Sequence, residues 1–351
     1  MYCTIKSPAF IYAAILFFTF SLLSCSTSQV AMEVLVPGDI AVSQEINDVG
    51  IVNRSLPADD EKFTNFLEGL FTGESILADK IGSENCLIGL ANELHDSPRF
   101  NIEIIEGIDL RGTGTREFPA LLTWGEVKNL CKTYKVDAMI VLETFDSNIF
   151  LEQGEEEKEK KVDGREILVI EYYAELNVDV NAGWRIYDPV NKVIVDQNVY
   201  RDHISWYEDD EKPEKVMKRL PSKREAVNQA AIHAGNRYAR RISPTWLKVN
   251  RAYYTKGHDD FELTKRYVKT NSWDEAANVW QRLVDSPDLK IAGRAAYNMA
   301  LASEMNGDLE IAIAWAKKSY EECGNKKALH YLRILERRLA DQQILQQQMG
   351  E

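Results

Sequence analysis

The segment Leu168–Val180, LVIEYYAELNVDV, decides the fold because two kinds of side chain alternate along it. One set of alternate residues is apolar or aromatic: Leu168, Ile170, Tyr172, Ala174, Leu176, Val178 and Val180. The intervening set is mostly polar: Val169, Glu171, Tyr173, Glu175, Asn177 and Asp179. Successive side chains of a β-strand point to opposite faces, so this period of two predicts a strand with one exposed face.

The chain before this strand alternates between extended and helical patterns. Four β-rich runs predict strands: EVLVPGDI, which Pro37 ends, Val49–Ser55, Phe100–Ile105 and Asp137–Phe145. Three helices are predicted between them: Glu61–Ile81, a second one from Ser83 to Pro98, and a third that a Thr123–Glu126 capping box opens. The last strand holds the continuous apolar run Ala138–Leu142, as in a strand covered on both faces.

The chain after the strand predicts an antiparallel meander. Trp184–Tyr187 leads into the turn DPVNK and returns as Val193–Tyr200. Two charged stretches, Glu152–Lys161 and Glu208–Glu211, are predicted to be a solvated loop tip and a solvated turn. Residues 32–207 therefore predict an α/β sandwich: a mixed sheet with helices over one face and the meander at an edge.

The rest of the chain predicts helices. Residues 213–242 are expected to be a connecting helix, broken at Pro221 and restarted by a Ser222–Glu225 capping box. Residues 245–351 are predicted to be helical throughout. Here a pattern of five positions recurs 36 residues later. Asn271, Trp273, Ala276, Trp280 and Leu283 correspond to Gly307, Leu309, Ala312, Ala316 and Ser319. This pattern resembles the tetratricopeptide repeat, with Lys326–Leu339 as a cap helix, so the fold class is α+β.

The amino terminus predicts export. The apolar run Phe10–Leu23 holds about 14 residues, which suits a signal peptide better than the roughly 20 of a membrane span, although a retained anchor or a buried helix is the alternative. Leu22, Leu23, Ser24 and Cys25 resemble the bacterial lipobox, which implies that residues 1–24 are removed and that Cys25 is lipidated. Residues 25–31 would then form a polar tether.

Ser26 follows the cysteine where inner-membrane lipoproteins carry Asp, and no acidic cluster comes next. By resemblance to lipoprotein sorting rules, the chain is expected on the periplasmic side of the outer membrane.

Composition excludes several function classes. The chain of 351 residues is 45% hydrophobic and 28% charged, as in a globular protein of about two domains. A net charge of −13 argues against a nucleic-acid partner. Cys86 and Cys131 are predicted to be small buried side chains, with a bridge between them as the alternative, and Cys323 stands alone. No Cys or His pair has metal-ligand spacing, so neither metal nor cofactor is expected.

Catalytic motifs are likewise lacking in the sequence. The five histidines lie far apart, no serine sits in a G-x-S-x-G elbow, and Arg111–Glu117 (RGTGTRE) lacks the lysine of a P-loop. The protein is therefore predicted not to be an enzyme.

The order of strands and helices in residues 32–207 resembles the amino-terminal domain of TolB and the related domains of CsgG-type and LpoB-type envelope lipoproteins. It is also similar to lipoproteins of Bacteroides-type bacteria that join this domain to a helical repeat. The resemblance implies a lipid-anchored module that binds or assembles envelope proteins.

Four repeat residues were candidates for the binding surface, as exposed or half-exposed side chains: Tyr267, Trp273, Tyr297 and Asn298. Two alternative functions compete with this hypothesis. A CsgG-like secretion pore would use long alternating strands, of which the sequence predicts one. An envelope hydrolase would need His203 or His233 beside a carboxylate and a nucleophile.

Overall fold

A computed structural model describes residues 26–56, 74–108, 110–113, 116–162 and 164–350. The chain divides into two compact units. Among the described residues, the sheet unit comprises residues 35–246 and 344–350, and the helical unit comprises residues 26–34 and 247–343. Both strands and helices are present in separate regions, which confirms the α+β class.

The sheet unit is built on a five-stranded mixed sheet. Its strands lie in the order β3-β2-β4-β5-β6. They are β2 (Asp48–Asn53), β3 (Asn101–Ile104), β4 (Ala138–Val162), β5 (Arg165–Asp188) and β6 (Val193–Asp210). The strand β2 is parallel to both β3 and β4, whereas β4, β5 and β6 are antiparallel. The predicted mixed sheet and its meander are therefore confirmed.

Helices cover both faces of this sheet. The helices α1 (Glu74–His95) and α4 (Lys223–Ile242) form one core with Ile140, Leu176 and Trp184. On the opposite face α2 (Trp124–Tyr134) packs Val127 and Cys131 into a second core. The prediction of helices over one face was wrong, because alternate residues of β2 and β4 are apolar on both sides.

Three predictions in this unit need correction. The strand β5 runs unbroken through Trp184 and Tyr187, and β4 continues through the charged stretch that was expected to be a loop. The strand β6 likewise extends through Glu208 to Asp210, where a solvated turn was expected. The three strands hold 25, 24 and 18 residues. Cross-strand pairing with β5 outweighs the low strand propensity of Glu and Lys.

The helices of the sheet unit also differ from expectation. The helix α1 passes through Ser83 without a break, because the Ser83 hydroxyl donates to the Lys80 carbonyl one turn earlier. The predicted helix Glu61–Ile81 lies largely outside the described residues. The segment 213–242 is not a connector: after the short helix α3 (Pro213–Arg219), α4 buries an Ala-rich face against α1 and the sheet.

The helical unit begins with a two-stranded sheet, formed by β1 (Thr27–Val36) and β7 (Thr245–Tyr254). Contacts of Lys248 with Glu33 and of Thr255 with Ser26 and Ser28 show that the two strands are antiparallel. The predicted tether at residues 25–31 was therefore wrong from Thr27 onward, and residues 245–351 are not wholly helical. Backbone hydrogen bonds with β7 stabilise this polar stretch as a strand, which its side chains would not do by themselves.

Five helices complete the unit, the last of them up to Gln343. They are α5 (Asp259–Lys269), α6 (Trp273–Leu283), α7 (Leu289–Met305), α8 (Leu309–Glu321) and α9 (Lys326–Met349). The predicted repeat positions Asn271 and Gly307 have φ values of 59° and 87°, so both turns use the left-handed conformation. The helical hairpins are thus present, and their likeness to the tetratricopeptide repeat stays a prediction.

Candidate functional site

The two strands β4 and β5 continue well past the core, together with the end of β6. The core on the α1 side ends near Ala174 and Leu176, which pair with Gln153 and Leu151. We call the part beyond it the arm: residues 152–162 of β4, 165–175 of β5 and 207–210 of β6. At about 3.3 Å per residue, each long strand of the arm spans about 35 Å.

One strand of the arm exposes apolar side chains. Ile167, Leu168 and Ile170 of β5 are 43%, 67% and 50% exposed. Single exposed apolar residues are common on protein surfaces, but a run of them on one strand marks a contact surface. The alternation of the sequence predicts a buried face for Leu168 and Ile170. This prediction was wrong, because among the described residues no helix covers the strand beyond Tyr172.

The neighbouring strand is charged. Glu155, Glu157 and Glu159 of β4 pair with Tyr172, Ile170 and Leu168 and therefore share their face of the arm. Neither face of the β4–β5 ribbon is apolar throughout. The pore hypothesis was based on one long strand, whereas the structure has three long strands. The glutamates of β4 lie beside the exposed apolar side chains of β5 on the same face.

A lysine network organises the opposite face. The Lys158 ammonium lies 2.8 Å from carboxylate oxygens of Glu156 and Glu171 and 3.2 Å from Asp209. These hydrogen bonds, with Glu156 contributing most, raise the pKa of Lys158 above its usual range. On the same face the rings of Tyr173 and Tyr207 stack at 6.2 Å. The network joins all three strands of the arm and holds the ribbon in one register.

A groove of about 300 Å³ lies where the arm leaves the core. Its lining includes Gln153 and Tyr172 of the arm and Pro213, Val216 and Met217 of α3. Met217 is 48% exposed, so the groove has an apolar rim beside the exposed strand. Because it is open and largely apolar, this groove is suited to a protein side chain.

A buried charge cluster lies at the carboxyl end of β2. Glu143 is fully buried and accepts hydrogen bonds from Arg54 at 3.0 Å, Arg185 at 3.2 Å and the Tyr187 hydroxyl at 2.6 Å. The two guanidinium groups also donate to the Ala120 and Pro119 carbonyls. Ligands often bind at this edge of an α/β sheet. Here the arginines instead hold the segment before α2 in place.

Of the two histidines proposed for hydrolysis, His203 has one of the two required partners. His203 Nδ1 lies 2.7 Å from Asp179 Oδ1, and both side chains are exposed. Among the described residues, none of the hydrogen bonds to this imidazole comes from a serine, threonine or cysteine side chain. No group of three His, Cys, Asp or Glu side chains in the described ranges can hold a metal ion.

Three of the four predicted binding residues are buried. Trp273 and Tyr297 are each 7% exposed and Asn298 is fully buried, while Tyr267 is half-buried. The Asn298 amide accepts from the Tyr254 backbone nitrogen and donates to its carbonyl, both at 2.8 Å. Asn298 and Tyr297, whose ring contacts the Tyr254 ring, thus hold β7 against α7, and only Tyr267 keeps part of its side chain exposed. Their aromatic and amide groups suggested binding because β7 was not recognised as a strand.

The cysteines behave as small apolar side chains. Cys86 packs in the core on the α1 side and Cys131 in the core beneath α2, on opposite faces of the sheet, and both are free thiols. Burial raises the pKa of the Cys131 thiol to about 11, so it is unreactive at neutral pH. Cys25, the predicted lipidation site, lies outside the described residues.

No helix in the described part of the chain is long and apolar enough to cross a bilayer. Two family models match the sequence: Domain of unknown function (DUF8603) over residues 46–254, and Domain of unknown function (DUF6340) over residues 262–337. The first match ends at Tyr254, the last residue of β7, and the second begins in α5. No curated protein matches the chain. Since the first model covers more than half of the sequence, the chain belongs to the DUF8603 family.

Proposed function

We propose that this protein is a lipoprotein of the outer membrane, facing the periplasm, that binds other envelope proteins through the arm as a non-catalytic assembly module. One observation carries the proposal: β4 and β5 extend beyond the core and expose Ile167, Leu168 and Ile170 on an ordered strand. Adjacent exposed apolar side chains on an ordered strand are typical of a protein-binding surface.

The contact at the start of the described chain determines where an anchor on Cys25 would attach. The Ser26 carbonyl accepts a hydrogen bond from the Thr255 backbone nitrogen, at the end of β7. Consecutive Cα atoms are about 3.8 Å apart, so a lipid on Cys25 would begin within one residue of the β1–β7 sheet. The helical unit would then be held at the bilayer surface rather than on a flexible tether. A single diacylglycerol-type anchor with an added acyl chain suffices for stable attachment.

The arm offers two recognition features that suit an extended protein segment. Exposed strands bind partners by adding a strand to the open edge, with side-chain pockets supplying specificity. On β5 the arm has an open edge at Arg165–Glu171, and the groove beside Tyr172 and Met217 lies next to it. The surrounding carboxylates of β4 would disfavour an acidic partner.

A photo-crosslinking experiment in intact cells tests both halves of the proposal. The full chain carries a photoreactive residue at Ile170, with Cys25 retained or changed by Cys25→Ala. We expect the parent chain in the membrane fraction, with protein adducts at position 170, and we expect Cys25→Ala to move at least about tenfold more protein to the soluble fraction. Mass spectrometry of the parent's amino-terminal peptide should show a lipid-modified Cys25.

Val190 provides the matched control, because it is an apolar residue in the turn after β5, at the end opposite the arm, and is 77% exposed. The same photoreactive residue there should give few adducts. Equal adduct yields at the two positions would contradict a binding role for the arm. A parent chain that fractionates like Cys25→Ala would contradict the anchor.

A further inference from the structure

We infer that the arm pairs with the arm of a second copy of this chain, edge to edge through Arg165–Glu171 of β5. The inference rests on the proposed function, because it names a partner for the same strand. It follows from the length of the open edge, the pattern of side chains along it and the charges at its two ends.

The open edge has defined limits. The strand β6 covers β5 from Asp188 to Tyr172, where Tyr172 pairs with Asp210. Beyond that pair, no strand among the described residues adjoins β5 on this side, and β5 itself begins at Arg165. The other side of the same stretch pairs with β4 from Glu156 to Val162. The backbone groups of Arg165–Glu171 that point away from β4 are therefore available to another strand.

The limits of the edge determine the register of a symmetric pair. Two copies related by a twofold axis place the same strand antiparallel to itself, and full use of the edge sets its midpoint, Leu168, opposite the partner's Leu168. Ile167 then lies opposite Val169, and Arg165 lies opposite Glu171. Arg165 and Glu171 point to the same face of the strand, so each pair of opposite charges meets directly.

Other registers fit the edge less well. Opposed side chains of an antiparallel pair share one face, so the smallest possible slip sets Arg165 opposite Val169 or Ile167 opposite Glu171, and either one loses both ion pairs. Either slip also moves one strand end past the limit set by Asp210 or by the start of β5. The charges of REILVIE thus favour the register that the geometry of the edge requires.

A second copy suits this edge better than an unrelated strand for a further reason. The face that carries Glu171 already has Lys158 within 2.8 Å, so the partner's Arg165 would join an existing network of alternating charges. Attachment to one membrane would bring the copies to a high local concentration, which compensates for a small interface.

Cysteine crosslinking in isolated membranes tests the pairing in the full chain. We expect Leu168→Cys to form a disulfide-linked dimer under copper–phenanthroline, because directly opposite Cα atoms lie about 4.5–5.5 Å apart, within the range of a disulfide. Ile167→Cys should form far less, since its counterpart lies diagonally, at about 7–8 Å. The parent chain shows how much dimer the native thiols, including Cys323, form without an added cysteine. Val190→Cys shows how much dimer random collision produces.

Charge reversal supplies a second readout. Adding Arg165→Glu to Leu168→Cys sets two pairs of like charges opposite each other and should lower the dimer yield on the order of tenfold. Lys161→Glu makes the same charge change on β4, away from the open edge, and should leave the yield unchanged.

Each outcome decides the inference. Dimers from Leu168→Cys well above those from Ile167→Cys and Val190→Cys, with the loss on Arg165→Glu, would support it. Equal yields from all three cysteines, or no effect of Arg165→Glu, would overturn it. If Leu168→Cys forms no dimer but the photoreactive residue at Ile170 forms adducts with other proteins, the second copy is wrong while the binding role of the arm stands. If neither forms, both proposals fail.

Discussion

Replacing Glu304 by Gln is expected to destabilise the helical unit by roughly 3–5 kcal/mol. Glu304 is fully buried in α7 and accepts two hydrogen bonds at 2.9 Å from the Arg251 guanidinium of β7. Tyr331 and Arg338 of α9 also donate to it. The amide in Glu304→Gln keeps the shape but leaves the buried Arg251 without a counter-ion. The effect should be read by amide hydrogen exchange of α7 and α9, which reports this unit separately.

The same carboxylate should make the helical unit sensitive to acid. Burial alone would raise its pKa, but the hydrogen bonds from Arg251 and Tyr331 outweigh burial and hold the pKa of Glu304 below its usual range. A lowered folded-state pKa contributes stability above the ordinary range near pH 4, and that stability is lost as the pH falls through the folded value. Glu304→Gln should lack this dependence on pH.

An exposed residue of the next helix is the matched control. Glu310→Gln in α8 makes the same chemical change at an exposed position and should alter stability by less than about 0.5 kcal/mol. A Glu304→Gln chain as stable as Glu310→Gln would show that the buried cluster does not hold β7 to the helices.

Gly235→Ala is expected to destabilise the sheet unit by about 3 kcal/mol or more, through overpacking. Gly235 of α4 lies where α4 crosses α1, and a Cβ there would stand 1.9 Å from the Cys86 carbonyl oxygen and 2.7 Å from the Leu90 nitrogen. Gly89 of α1 meets the Ile232 carbonyl of α4 in the same way, at 2.2 Å. Backbone atoms cannot yield as a flexible side chain can, so the helices must separate.

For Gly125→Ala, the same substitution at another helical glycine, we expect stability to rise instead of fall. Gly125 lies in α2, and the nearest atom to an added Cβ is the Thr123 hydroxyl at 3.9 Å. The substitution should stabilise the protein by about 0.4–1 kcal/mol. Both variants are compared by chemical denaturation. A Gly235→Ala chain no less stable than the parent would contradict the close crossing of α1 and α4.

Local patterns predicted much of the sheet unit. The alternation at Leu168–Val180, the apolar run Asp137–Phe145 and the turn DPVNK each correspond to part of the observed meander. The Thr123–Glu126 capping box is present with both reciprocal hydrogen bonds. These features depend on contacts within a few residues, which a single sequence displays directly.

The features that were missed depend on distant partners. The stretch EQGEEEKEKK has the composition of a loop, and it becomes a strand because β5 pairs with it and Lys158 bridges to Glu171 and Asp209. The polar residues after Cys25 become β1 only because β7 is beside them. In TWLKVNRAYY, β-branched and aromatic residues gave a strand signal, but the helical segments that follow obscured it.

The candidate site was misplaced for the same reason. Trp273, Tyr297 and Asn298 were chosen by residue type, and burial removed them from the surface. The apolar residues of the arm were assigned to the core because a strand pattern does not show where its covering helix ends. Both errors concern burial, which tertiary packing decides.

Shortening the arm tests the central claim most directly. Replacing Gly154–Tyr173 with Asn-Gly joins Gln153 to Ala174, which are paired residues, through a two-residue hairpin turn. The account predicts a chain that stays in the membrane fraction, keeps the parent's hydrogen-exchange protection in β2 and α1, and loses the protein complexes that formaldehyde traps in cells. A shortened chain that folds and still forms the same complexes would show that the arm is not the binding element.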